Sequence, residues 1–308
     1  MSFINSNLDL ISTQMRLGTG RLGDSGSFPR LVESGLLEKL ENKGFSLTCH
    51  EVNTPPVTES EIYASHDHLK YLAPIMEVDK ALEQEVYSSL QKGHLPFTIG
   101  GDHALAIGTL SGLLNYCQEN NEKPFVVWFD AHTDINTAKG TLSGNVHGIP
   151  LAVAIGYDQD IFPSFYQKEQ YLDPSALHYV GIRSVDDFEQ NVVEQHSIPN
   201  HPMSALKQLG DEWPKVVVEQ IVTEFEKSKA TRLHLSFDLD GVDPSFAPSV
   251  FTDVPDGVPL PQALEFVTRL KEALPLKSGD FVEFDPGLDD NNNTGLKAAL
   301  AVLDTILD

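Results

Sequence analysis

The chain is poor in cysteine, poor in basic residues and free of long apolar runs, and each shortage excludes something. Its two cysteines, Cys49 and Cys117, cannot build a disulfide framework, so a reducing compartment is expected. Against 45 Asp and Glu stand only 21 Lys and Arg, a formal charge of −24 at pH 7. That balance repels nucleic acid and anionic membrane surfaces, which call for basic patches. No apolar run approaches the roughly 20 residues of a membrane span. The opening Met1-Ser2-Phe3-Ile4-Asn5 has neither the basic stretch nor the apolar core of a secretory signal. The expectation is a soluble, cytoplasmic protein with no nucleic-acid or membrane partner. Most of the acidic excess reads as solvated surface, although it also suits a cationic substrate.

What is present is ordinary in amount and specific in arrangement. A hydrophobic fraction of 41% supports a substantial core. Strand-like apolar runs alternate with amphipathic helical stretches, which predicts an α/β fold around a mainly parallel sheet. Leu95 to Ile99, Phe125 to Phe129, His178 to Ile182, Leu233 to Leu239 and Phe281 to Phe284 read as strands. Val78, Leu82, Val86 and Leu90 make one helical stripe, ended by Gly93; Val218, Ile221, Val222 and Phe225 make another. Leu296 to Leu307 reads as a closing helix. With no repeat, low-complexity tract or long linker, residues 1–308 are expected to form a single domain.

Five carboxylates and two histidines fall in three short blocks: Gly100-Gly101-Asp102-His103, Asp130-Ala131-His132-Thr133-Asp134, and Ser236-Phe237-Asp238-Leu239-Asp240. In an extended chain, residues i and i+2 point the same way, so each block can converge on one point. The blocks and Glu283 all sit at C-terminal ends of strands, the edge where open α/β sheets form their sites. Carboxylates crowd together only around positive charge, and one divalent ion would leave most of this charge unmatched. Two ions are expected, and oxygen-rich ligation with some imidazole suits manganese or a similar metal better than structural zinc. Such a pair, about 3.5–4 Å apart, generates hydroxide near neutral pH and positions it against an electrophile. Singly, each block also reads as a turn or helix cap, Asp102 above all.

In these three blocks, and in the continuation Gly241-Val242-Asp243-Pro244 to Pro248-Ser249, the chain resembles the ureohydrolase family of arginases, agmatinases and formimidoylglutamases, and its arginase branch most. The resemblance spans roughly residues 15 to 307. It implies an arginase-like three-layer sandwich and a hydrolase with two Mn2+ per subunit. One ion would be held by His103, Asp130, Asp134 and Asp238, the other by Asp130, His132, Asp238 and Asp240. It also implies a homo-oligomer, trimer or hexamer.

The resemblance extends to substrate. Asn136, Thr141 and Ser143, in Asp134-Ile135-Asn136 and Thr141 to Gly148, would bond the α-carboxylate of an amino acid; Asp186 and Glu189 would take its α-ammonium. Glu283 would pair with the guanidinium, and Thr252, also kept, would contact the substrate. His147 would shuttle protons, and a hydroxide bridging the metals, oriented by Asp134, would attack the guanidinium carbon of L-arginine to give L-ornithine and urea. Read without the family, residues 140–148 are a polar Gly-rich loop and Asp186 to Glu189 a capped helix start.

Three departures from the arginase pattern stand out. Ala104 replaces a common Ser, and Phe251-Thr252-Asp253 replaces Gly-Thr-Pro. Gly257-Val258-Pro259-Leu260-Pro261-Gln262 replaces a stretch whose Arg-Glu pair often lies at a subunit contact. That run is closer to some formimidoylglutamases, which makes N-formimidoyl-L-glutamate the alternative substrate, with agmatine behind it. A zinc deacetylase is a further alternative, but those enzymes carry an adjacent His-His pair that this chain lacks. A binding protein with an inherited metal site is opposed by the complete ligand set.

Overall fold

The structure, a computed structural model, describes residues 7–166 and 170–308. The opening stretch Met1 to Asn5 lies outside the described residues. Among them, eight strands form one sheet: β1 (Asn7–Thr13), β2 (Ser46–Val52), β3 (Leu95–Ile99), β4 (Pro124–Phe129), β5 (Leu177–Val180), β6 (Asn200–His201), β7 (Arg232–Asp238) and β8 (Leu276–Val282). Their order is β2-β1-β3-β8-β7-β4-β5-β6, and every pairing is parallel, where the sequence had suggested a mainly parallel sheet.

A parallel sheet must have both faces covered, so its central strands are buried on both sides. β3, β4 and β7 accordingly run as near-continuous buried segments. The covering helices are α1 (Ser27–Glu33), α2 (Leu36–Asn42), α3 (Leu72–Gln91), α4 (Ala106–Glu119), α5 (Pro150–Ala154), α6 (Asp187–His196), α7 (Met203–Leu209), α8 (Trp213–Ser228), α9 (Leu260–Ala273) and α10 (Thr294–Ile306). α3, α4 and α5 pack together, and α2, α10, α9, α8 and α7 make a second series. The stripe Val78, Leu82, Val86 and Leu90 is the buried face of α3. Gly108 lets α3 and α4 approach closely: a Cβ there would lie 2.2 Å from the Asp79 carbonyl oxygen.

Three expected strands end earlier in the structure, β7 by one residue at Asp238. β8 stops at Val282 because Glu283 turns into the left-handed region at φ 66°. β5 stops at Val180 because Gly181 does the same at φ 94°. Both turns serve the sheet's C-terminal edge, where β3, β8, β7 and β4 lie side by side. Those four neighbours carry His103, Glu283, Asp238 and Asp130, each at or just beyond its strand.

Candidate metal centre and substrate cleft

The convergence of the blocks arises differently from the simple i, i+2 alternation of a strand. Asp130 is the first residue past β4, and Asp240 lies in a short 3-10 turn past β7. In each block an Asp side chain accepts from the backbone N–H two residues on: Asp102 from Ala104 at 3.1 Å, Asp130 from His132 at 2.7 Å, Asp238 from Asp240 at 2.7 Å. These are Asx turns, which an Asp forms readily and which bend the chain at the strand end. For Asp130 and Asp238, one carboxylate oxygen makes the turn and the other is left for the cluster.

His103 is the hub. Its Nδ1 lies 3.0 Å from Asp130 Oδ2, 3.0 Å from Asp238 Oδ2 and 3.3 Å from Asp134 Oδ2. One ring nitrogen carries one proton at most, so it cannot donate to three oxygens; Asp130 Oδ2 is in fact buried without a hydrogen-bond partner despite its proximity. The other nitrogen, Nε2, is 2.8 Å from Ser236 Oγ, and the ring stacks on Trp128 at 3.9 Å between centroids. His132 Nδ1 lies 3.1 Å from Asp240 Oδ2 and 3.5 Å from Asp130 Oδ1. Thr252 Oγ1 donates to Asp240 Oδ2 at 2.9 Å.

Protons serve this set poorly. Burial, reinforced by Asp240 and Asp130, pushes the Asp238 carboxyl well above the usual range; burial also raises Asp134 and Asp240. Burial opposes a charged His103, yet the carboxylates around it push its pKa well up. Competing demands of this kind are relieved by a cation among the oxygens and imidazole nitrogens. Among the described residues, two sets have ligand atoms close enough together to hold an ion: His103, Asp130 and Asp134, and Asp130, His132 and Asp240. Asp130 belongs to both, and Asp238 reaches the first through its contact with His103.

Asp102, grouped with these carboxylates in the sequence, stands apart. Its oxygens accept from Ala104 N and, at 3.0 Å, from Thr19 N, so it is a cap. Glu283 takes its place beside the cluster. Its Oε1 accepts from His103 N at 3.0 Å and lies 3.4 Å from His147 Nδ1, while Oε2 is buried without a partner. Burial lowers the His147 pKa, but the adjacent Glu283 carboxylate and Asp134 raise it to about 9. Asp134 and Glu283 both hold positive φ, 44° and 66°, a backbone cost that non-glycine residues carry where a site demands it.

A cleft opens beside the cluster, with space of about 300 Å³, lined by His132, Asp134 and His147 on the inside and by Asn136, Thr141, Ser143, Asp186, Glu189 and Thr252 around them. Every proposed substrate residue therefore meets in one place, with Glu283 reaching it through His147. The loop and cap readings hold as well. Asp186 and Glu189 form a reciprocal capping box at the start of α6, and Glu189 Oε1 also accepts from Ile135 N at 3.3 Å. Asn136 Nδ2 donates to Asp186 Oδ2 at 3.0 Å, tying one wall to the other. Burial raises the Glu189 pKa to about 7. Ser184, Asn145 and the 88%-exposed Leu142 also line the cleft, and no role had been assigned to them. Ser236 and Trp128 were likewise missed as supports of His103. The signal for Ser236 was its position two residues before Asp238, on the same face of β7.

Residues 257–260 are not among those lining the cleft. Val258 bridges to Val242, and Gly257 and Pro259 line a separate recess with Met203 and Trp213.

Comparison with known proteins agrees with this geometry. The model of the Arginase family matches residues 36–307. The arginase of Bacillus caldovelox is 31% identical over 301 residues, covering 97% of each chain, and that of Entamoeba histolytica is 31% identical over 280 residues, covering 91% of each. The crystal structure of the Bacillus caldovelox enzyme superposes with a TM-score of 0.87 over 98% of both chains. The Entamoeba histolytica arginase solved in complex with L-ornithine gives 0.88 over 100% of this chain and 99% of that one, at 28% identity. With its three Asx-turn blocks gathered on the central edge of one parallel sheet, the chain belongs to the Arginase family.

Proposed function

We propose that this family hydrolase cleaves the guanidino group of L-arginine to L-ornithine and urea. The observation that carries the proposal is the union, in one cleft, of the carboxylate–imidazole cluster with the wall of Asn136, Thr141, Ser143 and Asp186. Two Mn2+ would be held by the cluster, one by His103, Asp130, Asp134 and Asp238, the other by Asp130, His132, Asp238 and Asp240. Bound there, they supply activation of a water near neutral pH and positive charge against the developing negative charge.

The remaining roles belong to side chains. Asp134 accepts a hydrogen bond from the attacking water and so orients it. Glu283, with its buried unpartnered Oε2, pairs with the guanidinium. Asn136, Thr141 and Ser143 bond the α-carboxylate; Asp186 takes the α-ammonium, with Glu189 behind it. Thr252, which lines the cleft and donates to Asp240 Oδ2, contacts the substrate. His147, half-buried with its Nδ1 3.4 Å from Glu283 Oε1, fits the relay of a proton between the leaving amine and solvent. Much of the rate would come from this preorganised charge.

Residues 257–260, whose likeness to some formimidoylglutamases keeps N-formimidoyl-L-glutamate as the alternative substrate, do not line the cleft. The test is urea release from L-arginine by manganese-loaded protein, with agmatine and N-formimidoyl-L-glutamate run alongside. Urea from arginine alone is expected. Formamide from N-formimidoyl-L-glutamate would keep the reaction class and overturn the substrate.

A further inference from the structure

Phe251 precedes Thr252 in the loop that reaches Asp240, and it stands where the arginase pattern noted above has glycine. Two guanidiniums cover its ring: Arg21 Cζ lies 3.8 Å from the centroid and Arg16 Cζ 4.6 Å. Arg16 also pairs through Nη2 with Asp285 Oδ2 at 3.1 Å. Asp285 N in turn donates to Ser249 O at 2.9 Å, in the same loop as Phe251 and Thr252. The turn carrying the two arginines is tight. Gly20, at φ 75°, donates to Leu17 O at 2.9 Å, and Thr19 N donates to Asp102 Oδ2 at 3.0 Å. Segments 16–21 and 249–252 therefore meet at one aromatic ring, with Asp285 tied to both through Arg16 and Ser249.

The choice of partner is informative. In a chain with 45 acidic side chains, Arg21 makes no ion pair or side-chain hydrogen bond among the described residues, and the ring of Phe251 is its partner. A guanidinium on an aromatic face gains electrostatically from the ring quadrupole while its edges stay hydrated. The stack thus ties the turn at residues 16–21 to a cleft loop, with Arg21 exposed and Arg16 paired to the buried Asp285.

We propose that Phe251 is a positioning residue: held under Arg16 and Arg21, it fixes Thr252 at the cleft and thereby sets substrate affinity. The proposal rests on the substrate reading above. It is tested on the manganese-loaded full-length chain with the substitutions Phe251→Leu, Phe251→Tyr, Arg21→Ala and Arg21→Lys. An exposed cation–π contact corresponds to a change of about two- to fivefold, so Phe251→Leu and Arg21→Ala raise KM for L-arginine by that factor with kcat within about twofold. Phe251→Tyr and Arg21→Lys keep the contact and stay near wild type. A second readout needs no substrate: hydrogen–deuterium exchange quickens across residues 16–21 and 249–254 in Phe251→Leu and Arg21→Ala, with bound manganese unchanged. Unchanged KM and exchange in Phe251→Leu would overturn the proposal. So would a Phe251→Tyr variant as impaired as Phe251→Leu, or loss of metal and kcat at constant KM, which would make Phe251 a mere support of Asp240. If the wild type turned over N-formimidoyl-L-glutamate and not arginine, the substrate reading would fail while the exchange experiment still decided the clamp.

Discussion

At His103 a single ring nitrogen faces three carboxylate oxygens, and the opposite nitrogen is engaged by Ser236. A hydrogen-bonded partner of this kind fixes the orientation of a metal-binding imidazole, and its loss typically costs metal affinity 10–100-fold. Ser236→Ala should therefore weaken manganese binding by about that factor, as read by titration calorimetry. Asp238→Ala should abolish metal binding and activity together. Asp186→Ala should behave differently, because Asp186 is exposed and lies outside both metal-holding sets. It should raise KM for arginine with full metal occupancy, and loss of metal in that variant would refute its assigned role. The clustered Asp and His residues were legible in the sequence through their i, i+2 spacing and the family resemblance. Ser236 and Trp128 were not, since Ser and Trp in a strand look like any other strand residues until His103 folds against them.

Strands and helices were legible where burial imposed a pattern. β3 was read to the residue, because every one of its side chains is buried. β2 escaped, being largely half-buried or exposed at the sheet's edge, with Ser46, Thr48 and Glu51 among its residues. β5 contains a different surprise, His178, whose two ring nitrogens are buried without a hydrogen-bond partner. The ring stacks on Phe125 at 4.7 Å and lies 6.2 Å from the His201 ring of β6. Burial, and then His201, lower its pKa to about 4 from an ordinary 6.5, with Glu224 a weak opposing influence. The unfolded chain thus binds the proton more readily than the native one. Stability from this residue is complete above about pH 6.5 and lost as pH falls through about 4, an effect of about 3 kcal/mol in full. His178→Leu should flatten urea midpoints over that pH range relative to wild type; an identical slope in both proteins would exclude the assignment.

Across the whole molecule, four neighbouring strands bring carboxylates from distant parts of the chain to one buried edge. Native charge crowding there makes bound cations a stabilising ligand, worth about 4 kcal/mol when the free ion is at 1,000 times its Kd. Removing metal with a chelator should lower Tm by several degrees, roughly 2–4 °C per kcal/mol for chains approaching this size, and manganese should restore it. Glu283→Ala should leave that shift largely intact, because Glu283 is in neither ligand set. A Tm indifferent to chelator would argue that the cluster is settled by protons alone.

The sequence by itself determined the fold class, the clustered Asp and His residues and the turns that present them. Alternation of buried runs, Asp at fixed spacing and glycine at bends act over a few residues, and local physics reads them. The tertiary structure decided that β8 and β7 lie between β3 and β4, which brings Glu283 against His103. It also set the Asn136–Asp186 tie, the Ser236 support and the stack of Arg16 and Arg21 on Phe251. Each of these joins residues tens or hundreds of positions apart, and strand order, which arises from packing across the whole sheet, is what brings them together.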